Sequence, residues 1–168
     1  MKYINSHLED WIESFLINIG ITEPAQMDRY RIANSLDIWI YYVNDKSHYY
    51  VEINKLYSIF LNKNLTKEEQ WQDFAHELCH IVRLSSTYTN FHLTKTLWNM
   101  FQEKQANYFA YHFCMPTFML RRIDISSDPK SAIFQLSRIF KVTPEFAKHR
   151  LNLYYQKKFS QMKNVVNG

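Results

Sequence analysis

The chain has 168 residues, of which 46% are hydrophobic and 17% aromatic, so it can bury the core of one domain and is expected to be ordered except at its ends. Two cysteines argue against a disulfide-based scaffold and indicate a reducing compartment. A net charge of +4 is too small to indicate nucleic-acid binding by itself.

The first segment, residues 4–19, carries apolar residues at helical spacing and is predicted to be an amphipathic helix that ends near Gly20. Acidic side chains at Glu9, Asp10 and Glu13 interrupt the apolar residues, which argues against a secretory signal peptide. No stretch of the chain approaches the roughly 18 apolar residues that a membrane span needs. We therefore expect a soluble, cytoplasmic protein without a membrane partner.

The next elements are predicted to be a helix and a small sheet. The second helix begins at residues 22–24 and runs to about Ser35. Segments rich in β-branched and aromatic residues predict three strands, at 37–43, 48–53 and 57–62. The polar turn between the first two strands makes the second strand the hairpin partner of the first.

Helices dominate the rest of the chain. A long helix is predicted from Thr66 to residue 84, because Thr66 and Glu69 have the form of a capping box and no Pro or Gly follows within it. After a Ser/Thr-rich loop at 85–90, a second long helix runs to Pro116, and two more helices follow, the later one opened by residues 143–145.

These elements predict an α+β fold, in which a small three-stranded sheet packs against a pair of long helices and further helices lie at the N- and C-terminal ends. No internal repeat or linker divides the chain. We expect one domain over 1–168, with segments at 1–35, 36–116, 117–158 and 159–168.

Inside the first long helix, residues 76–80 read His-Glu-Leu-Cys-His. Positions i and i+4 of a helix lie about 40° apart on one face, so His76 and His80 can offer both imidazoles to one metal ion, at about 2.0–2.1 Å from each nitrogen. Glu77 is rotated by about 100° from His76, which suits a general base better than a metal ligand. The segment therefore predicts a zinc hydrolase site.

A catalytic zinc takes three protein ligands, so a third ligand is expected downstream. Glu103 is the best candidate, because Ala106 and Ala110 lie on its own helix face and would let two helices approach closely. His92, in a loop, and His112, about 180° from Glu103 around the helix, are weaker alternatives.

These residues resemble the ImmA/IrrE family of metallopeptidases. The resemblance rests on the His-Glu-Leu-x-His motif, on Glu-x-x-Ala-Asn-x-Phe-Ala from Glu103, on Met115-Pro116, and on the run 136–143 followed by Arg150-Leu151. It covers roughly residues 36–152 and implies a zincin-like domain with Zn²⁺ as cofactor. It also implies cleavage of a helix-turn-helix repressor, which would derepress a prophage, a mobile element or a stress regulon.

Cys79 departs from the family pattern, which usually has Gly at that position. A thiolate there, about 60° from His76 around the helix, would be able to approach the metal and remove the open position. The alternative is that Cys79 packs as a small apolar residue.

The expected reaction is metal-assisted peptide hydrolysis. Glu77 takes the proton of the attacking water and passes it to the leaving amine. An additional donor should stabilise the oxyanion, and the candidates are Tyr88, His92, Tyr111 and His112. In zinc proteases of this layout a sheet edge can hold an extended peptide beside the metal, so strand 57–62 is a candidate edge, with an internal strand as the alternative.

Basic residues gather late in the chain, and the run 131–155 resembles a helix-turn-helix. Apolar residues at Ile133, Leu136 and Ile139 suggest instead that this run buries one face in the domain. We therefore expect a protein substrate and no direct DNA binding. Two rival functions remain open, namely a non-catalytic repressor-binding module with a structural or vestigial metal site and a DNA-binding regulator.

Overall fold

The computed structural model describes residues 3–52, 56–84 and 95–166. The chain forms two compact units, of which one comprises Met1–Met27 with Tyr111–Gly168 and the other Asp28–Ala110. The organisation of the chain as one domain with four segments stays a prediction.

The unit Asp28–Ala110 is built on a three-stranded sheet. Its strands are β1 (Ile38–Val43), β2 (His48–Val51) and β3 (Tyr57–Asn62). The strand order is β1-β3-β2, with β3 parallel to β1 and antiparallel to β2. Together with the helices described below, this sheet confirms the predicted α+β class.

Two predictions about the sheet were wrong. The second strand is not the hairpin partner of the first, because β2 pairs with β3, and β3 is a central strand rather than an edge. Burial explains the order. Ile59 and Leu61 in β3 are fully buried and Ser58 nearly so, whereas every residue of β2 is exposed. A strand buried on both faces is typical of the middle of a sheet.

The predicted helix over 22–35 is interrupted. Pro24–Gln26 forms a short 3₁₀ turn, and helix α2 (Arg29–Ser35) begins only after it. Met27 has an extended backbone, with φ −66° and ψ 107°. The side chain of Asp28 caps α2 by accepting a hydrogen bond from the Arg31 N–H. The cap starts a new helix, so the two helical segments cannot be continuous.

Helix α3 (Lys67–Cys79) begins with the predicted capping box, in which Thr66 and Glu69 satisfy each other's backbone N–H groups. Beyond Cys79 the helix does not continue as a regular α-helix, as predicted to residue 84, but as a π-helical turn over His80–Leu84. Buried Phe74 and Leu78 face the sheet where α3 packs against β3. This packing fixes the distance between α3 and the sheet.

Helix α4 (Lys95–Cys114) supplies the second long helix and passes from one compact unit into the other. The remaining helices are α1 (His7–Asn18), α5 (Thr117–Leu120), α6 (Pro129–Phe140) and α7 (Pro144–Val166). Helices α6 and α7 pack against each other across a turn at Lys141, which adopts the left-handed conformation with φ 55°. None of the helices in the described ranges combines the length and apolarity that a bilayer crossing requires.

A buried polar network stabilises the unit formed by the two ends of the chain. Glu9 is 3% exposed and accepts hydrogen bonds from the Tyr3 hydroxyl at 2.8 Å and the Thr117 hydroxyl at 2.6 Å. It also forms an ion pair with Lys157.

Arg150 is fully buried in the same unit and donates to Thr117 Oγ1 at 2.7 Å and to the Met115 carbonyl at 3.1 Å. Polar groups buried in this way need such partners to offset their lost hydration.

Candidate metal centre

Helix α3 holds two imidazoles on one face. The Nε2 atoms of His76 and His80 lie 3.3 Å apart, one helical turn from each other. His80 is buried and His76 is partly exposed. Burial, followed by the nearby His76, lowers the pKa of His80. His80 is therefore favoured in the neutral form that binds metals.

Helix α4 brings a carboxylate to the same point. Glu103 Oε2 lies 3.2 Å from His76 Nε2, and Oε1 lies 3.5 Å from His80 Nε2. Ala106 and Ala110, the small residues expected on the packed face of α4, are buried. At Cys79 the thiol points at the Gln105 carbonyl, 4.0 Å away. The structure thus brings together the two histidines and the glutamate singled out in the sequence.

The spacing of these three groups suits a metal ion. Donors about 2.0–2.1 Å from a tetrahedral zinc lie about 3.3 Å from one another, and the two imidazole Nε2 atoms are 3.3 Å apart. The Glu103 carboxylate faces both of them, with one oxygen 3.2 Å from His76 Nε2 and the other 3.5 Å from His80 Nε2. Two imidazole nitrogens and one carboxylate oxygen also form a donor set typical of catalytic zinc, which leaves a fourth position open. The residues present therefore fit such an ion, and we regard His76, His80 and Glu103 as a possible metal site.

Asn107 orients the first imidazole. Its Oδ1 lies 2.9 Å from His76 Nδ1, so the Nδ1–H donates and the lone pair of Nε2 is left facing Glu103 and His80. Asn107 follows Glu103 by one helical turn, so both side chains project from the same face of α4. Metal-binding histidines commonly donate their second ring nitrogen to a partner of this kind.

Strand β2 contacts the second imidazole. The Tyr49 ring stacks on His80, with centroids 5.1 Å apart and planes 10° apart. The backbone N–H of the same residue acts on the Glu77 carboxylate by lowering its pKa. One residue of the sheet therefore influences both groups.

Glu77 is buried beside the three converging groups. Its burial, together with the negative charges of Glu103 and Asp73, raises its pKa to about 8, although Lys46 and the N–H of Tyr49 act in the opposite direction. A cation held nearby would favour the ionised carboxylate, because opposite charge lowers the pKa of a carboxyl group. The pKa of Glu77 therefore depends on the charged groups around it.

These groups line an open cleft of about 570 Å³. Its wall on the sheet side comes from the β1–β2 turn and the start of β2, and its other walls come from α3 and α4. The described lining residues are Asp45, Lys46, Ser47, His48, Tyr49, Asp73, His76, Glu77, His80, Glu103 and Asn107.

Cys79 does not join the converging donors. Its side chain is buried, and burial raises the pKa of its thiol to about 12. Its Sγ is directed at the Gln105 carbonyl, and the converging donors are His76, His80 and Glu103. Cys79 therefore packs as a small apolar residue against Gln105 of α4.

The candidate oxyanion donors are not brought to this cleft among the described residues. Tyr111 and His112 belong to the other compact unit, where the Tyr111 ring stacks on His149 at 4.2 Å and contacts Phe146 at 4.5 Å, and where His112 is buried. Tyr88 and His92 lie outside the described residues. The role of an oxyanion stabiliser stays a prediction for all four.

Two residues at the site were not singled out from the sequence. Asn107 had a usable signal, because it is one turn from Glu103 and carries a hydrogen-bonding side chain. Tyr49 had none, since its contacts depend on the pairing of β2 with β3.

Comparison with known proteins finds one matching family and similar sequences. A profile of the peptidase M78 family, described as the IrrE N-terminal-like domain, matches residues 33–152. The chain is 43% identical over 157 residues to the uncharacterized protein YqaB of Bacillus subtilis (strain 168), covering 94% of this chain and 89% of YqaB. It is 40% identical over 153 residues to the phage-like element PBSX protein XkdA of the same organism, covering 91% of this chain and 75% of XkdA.

A solved structure shares the fold. A transcriptional regulator from Mycobacterium tuberculosis superposes with a TM-score of 0.62 at 18% identity, covering 86% of this chain and 46% of the regulator. The chain thus spans about half of that protein, and the likeness concerns the fold alone.

Proposed function

The chain belongs to the peptidase M78 family of IrrE N-terminal-like domains, and from this premise we propose that it is a zinc-dependent, site-specific endopeptidase. The observation that carries the proposal is the convergence of His76, His80 and Glu103, whose nearest donor atoms lie 3.2 to 3.5 Å apart, with Glu77 buried next to them in an open cleft. Membership in a metallopeptidase family supports hydrolysis over a purely structural metal site.

Each residue has a distinct role in this proposal. The two imidazoles and Glu103 hold the ion, which when bound supplies a Lewis acid for the scissile carbonyl and for the attacking water. Glu77 accepts the proton of that water and delivers it to the leaving amine. Asn107 keeps the His76 ring in the tautomer that a ligand needs.

Strand β2 is the proposed substrate-binding edge, in place of β3. Within the described residues β2 pairs on one side only. The Glu52 N–H donates to the Leu56 carbonyl, in register with the β2–β3 ladder. Because antiparallel pairs alternate, the N–H of Val51 points away from β3. An extended peptide can pair with this side of β2, next to Glu77 and His80.

The proposed substrate is a helix-turn-helix repressor of a prophage, a mobile element or a stress regulon. One relative, XkdA, is named as a protein of a phage-like element, which supports a mobile-element setting. The resemblance of the sequence motifs to the ImmA/IrrE family supports a repressor as substrate.

Co-expression with a helix-turn-helix repressor of a phage-like element tests the proposal. The wild type should yield a discrete repressor fragment, and Glu77→Gln should yield none while binding the same amount of zinc. Glu68→Gln, in the exposed first turn of α3, is the matched control and should cleave like the wild type. If Glu77→Gln still relieves repression and the repressor stays intact, the chain is a non-catalytic repressor-binding module.

A further inference from the structure

Tyr49 contacts one of the converging metal donors directly. Its ring lies nearly parallel to the His80 imidazole, 5.1 Å between centroids and 10° between planes. Its backbone N–H also lowers the pKa of the neighbouring Glu77. Tyr49 lies on the sheet, whereas Glu77 lies on α3 and His80 at the start of the π-helical turn that follows it.

The sheet register explains how one residue reaches both groups. Tyr49 is opposite Ile59 in β3, and Ile59 belongs to the fully buried face against which α3 packs. Side chains alternate along a strand, so Tyr49 faces α3 while its neighbour Tyr50 faces the other way and is 55% exposed. The alternation of hydrogen-bonded pairs leaves the Tyr49 N–H pointing off the edge of the sheet.

The two histidines are thus oriented from different elements. His76 is held by a hydrogen bond from its Nδ1–H to Asn107 on α4. His80 lies where the α-helix gives way to the π-helical turn, a point at which helical geometry alone constrains the ring less. The stacked Tyr49 ring restricts rotation of that imidazole out of the plane that points Nε2 at His76 and Glu103.

We propose that Tyr49 is a positioning residue that sets the orientation of His80 and so links the substrate-binding edge of the sheet to the metal centre. The inference rests on the proposed function. A peptide that pairs with β2 does so beside the residue that orients His80. Binding at this edge is thereby coupled to the geometry of the reacting site.

Zinc alone is a sufficient probe. Purified wild type, Tyr49→Ala, Tyr49→Leu and Tyr49→Phe are titrated with Zn²⁺ against a chromophoric chelator, and the visible spectrum of the Co²⁺-loaded proteins is recorded. Tyr49→Ala and Tyr49→Leu should bind zinc about 10–100-fold more weakly and show an altered Co²⁺ spectrum. Tyr49→Phe, which keeps the flat ring, should restore both. Tyr50→Ala, on the opposite face of the same strand, is the matched control and should match the wild type.

The outcomes separate this inference from the proposed function. Wild-type zinc affinity and an unchanged Co²⁺ spectrum in Tyr49→Leu would overturn the positioning role while leaving the endopeptidase proposal intact. An equal loss in Tyr50→Ala would also overturn it, because the effect would then belong to the strand and not to the ring. A wild type that binds no zinc would refute the proposed function and this inference together. Tyr49→Leu keeps the side-chain bulk, so the test stands even if Tyr49→Ala is poorly folded.

Discussion

The Nδ1–H of His76 donates to Oδ1 of Asn107 across 2.9 Å, and Asn107 follows Glu103 by one turn of α4. A single helix face therefore supplies both the carboxylate that approaches His76 and the amide that orients it. Asn107→Ala should weaken zinc binding about 10–100-fold, because the imidazole loses its fixed tautomer and orientation. Chelator competition measures this affinity. Asn107→Asp, which keeps an acceptor, and Lys104→Ala, exposed on the same helix, should stay near the wild type.

Removal of Glu103 tests the third donor. Glu103→Ala should weaken zinc binding by about 100-fold or more. Loss of a residue that only hydrogen-bonds to a metal ligand costs about 10–100-fold, and this variant loses one of the three protein ligands itself. Glu103→Asp should fall in between, since its shorter side chain cannot span the observed 3.2 and 3.5 Å separations without movement of the helices. Isothermal titration with Zn²⁺ measures both variants. Undiminished affinity in Glu103→Ala would assign the third ligand elsewhere.

Proline substitutions test the proposed substrate edge. Val51→Pro removes an N–H that points away from β3, so the fold and zinc binding should hold. Its KM for the repressor should rise about 2–10-fold, as expected for one lost hydrogen bond. Tyr50→Pro removes an N–H that faces β3 and should instead lower the free energy of unfolding. An unchanged KM in Val51→Pro would argue that the substrate does not pair at this position.

Substitution of Cys79, which stands where the family usually has Gly, tests whether this residue takes part in metal binding. Cys79→Ala should leave zinc stoichiometry and cleavage unchanged, because the buried thiol, with a pKa of about 12, is not among the converging donors. The free energy of unfolding should fall by about 1 kcal/mol for the lost packing. Loss of bound zinc in this variant would make Cys79 a ligand after all.

Stability at low pH should depend on Glu9. Burial by itself would raise its pKa, but hydrogen bonds from Lys157, Thr117, Ser6 and Tyr3 outweigh that effect and lower the pKa to about 2. Because the folded pKa lies below the ordinary value of 4.5, the stabilisation is complete above about pH 5 and is lost as the pH falls towards 2. It is on the order of 3 kcal/mol.

Urea unfolding at several pH values between 7 and 3 measures this contribution. Glu9→Gln should lower the free energy of unfolding at pH 7 and flatten its pH dependence. Asp10→Asn, exposed in the same helical turn, is the control and should keep the wild-type slope. A wild-type slope in Glu9→Gln would mean that other carboxyl groups dominate the acid response.

Features that depend on neighbouring residues in the chain were predictable. The capping box at Thr66 and Glu69 formed as expected, and the runs of β-branched and aromatic residues became strands close to the predicted limits. The predictions were wrong where the pairing of distant segments had to be inferred from a local sequence pattern. The turn after β1 suggested a hairpin, but β2 pairs with β3, which carries the fully buried Ile59 and Leu61 and lies between β1 and β2.

The sequence by itself determined that His76 and His80 share a helix face, because residues four apart in a helix must do so. It also determined the α+β class, since helical and strand periodicities differ along the chain. Only the tertiary structure decided that Glu103 comes within 3.5 Å of both imidazoles, and that Asn107 and Tyr49 hold one imidazole each. These contacts join α3 to α4 and to β2, and their geometry depends on helix packing and strand order, which no local pattern encodes.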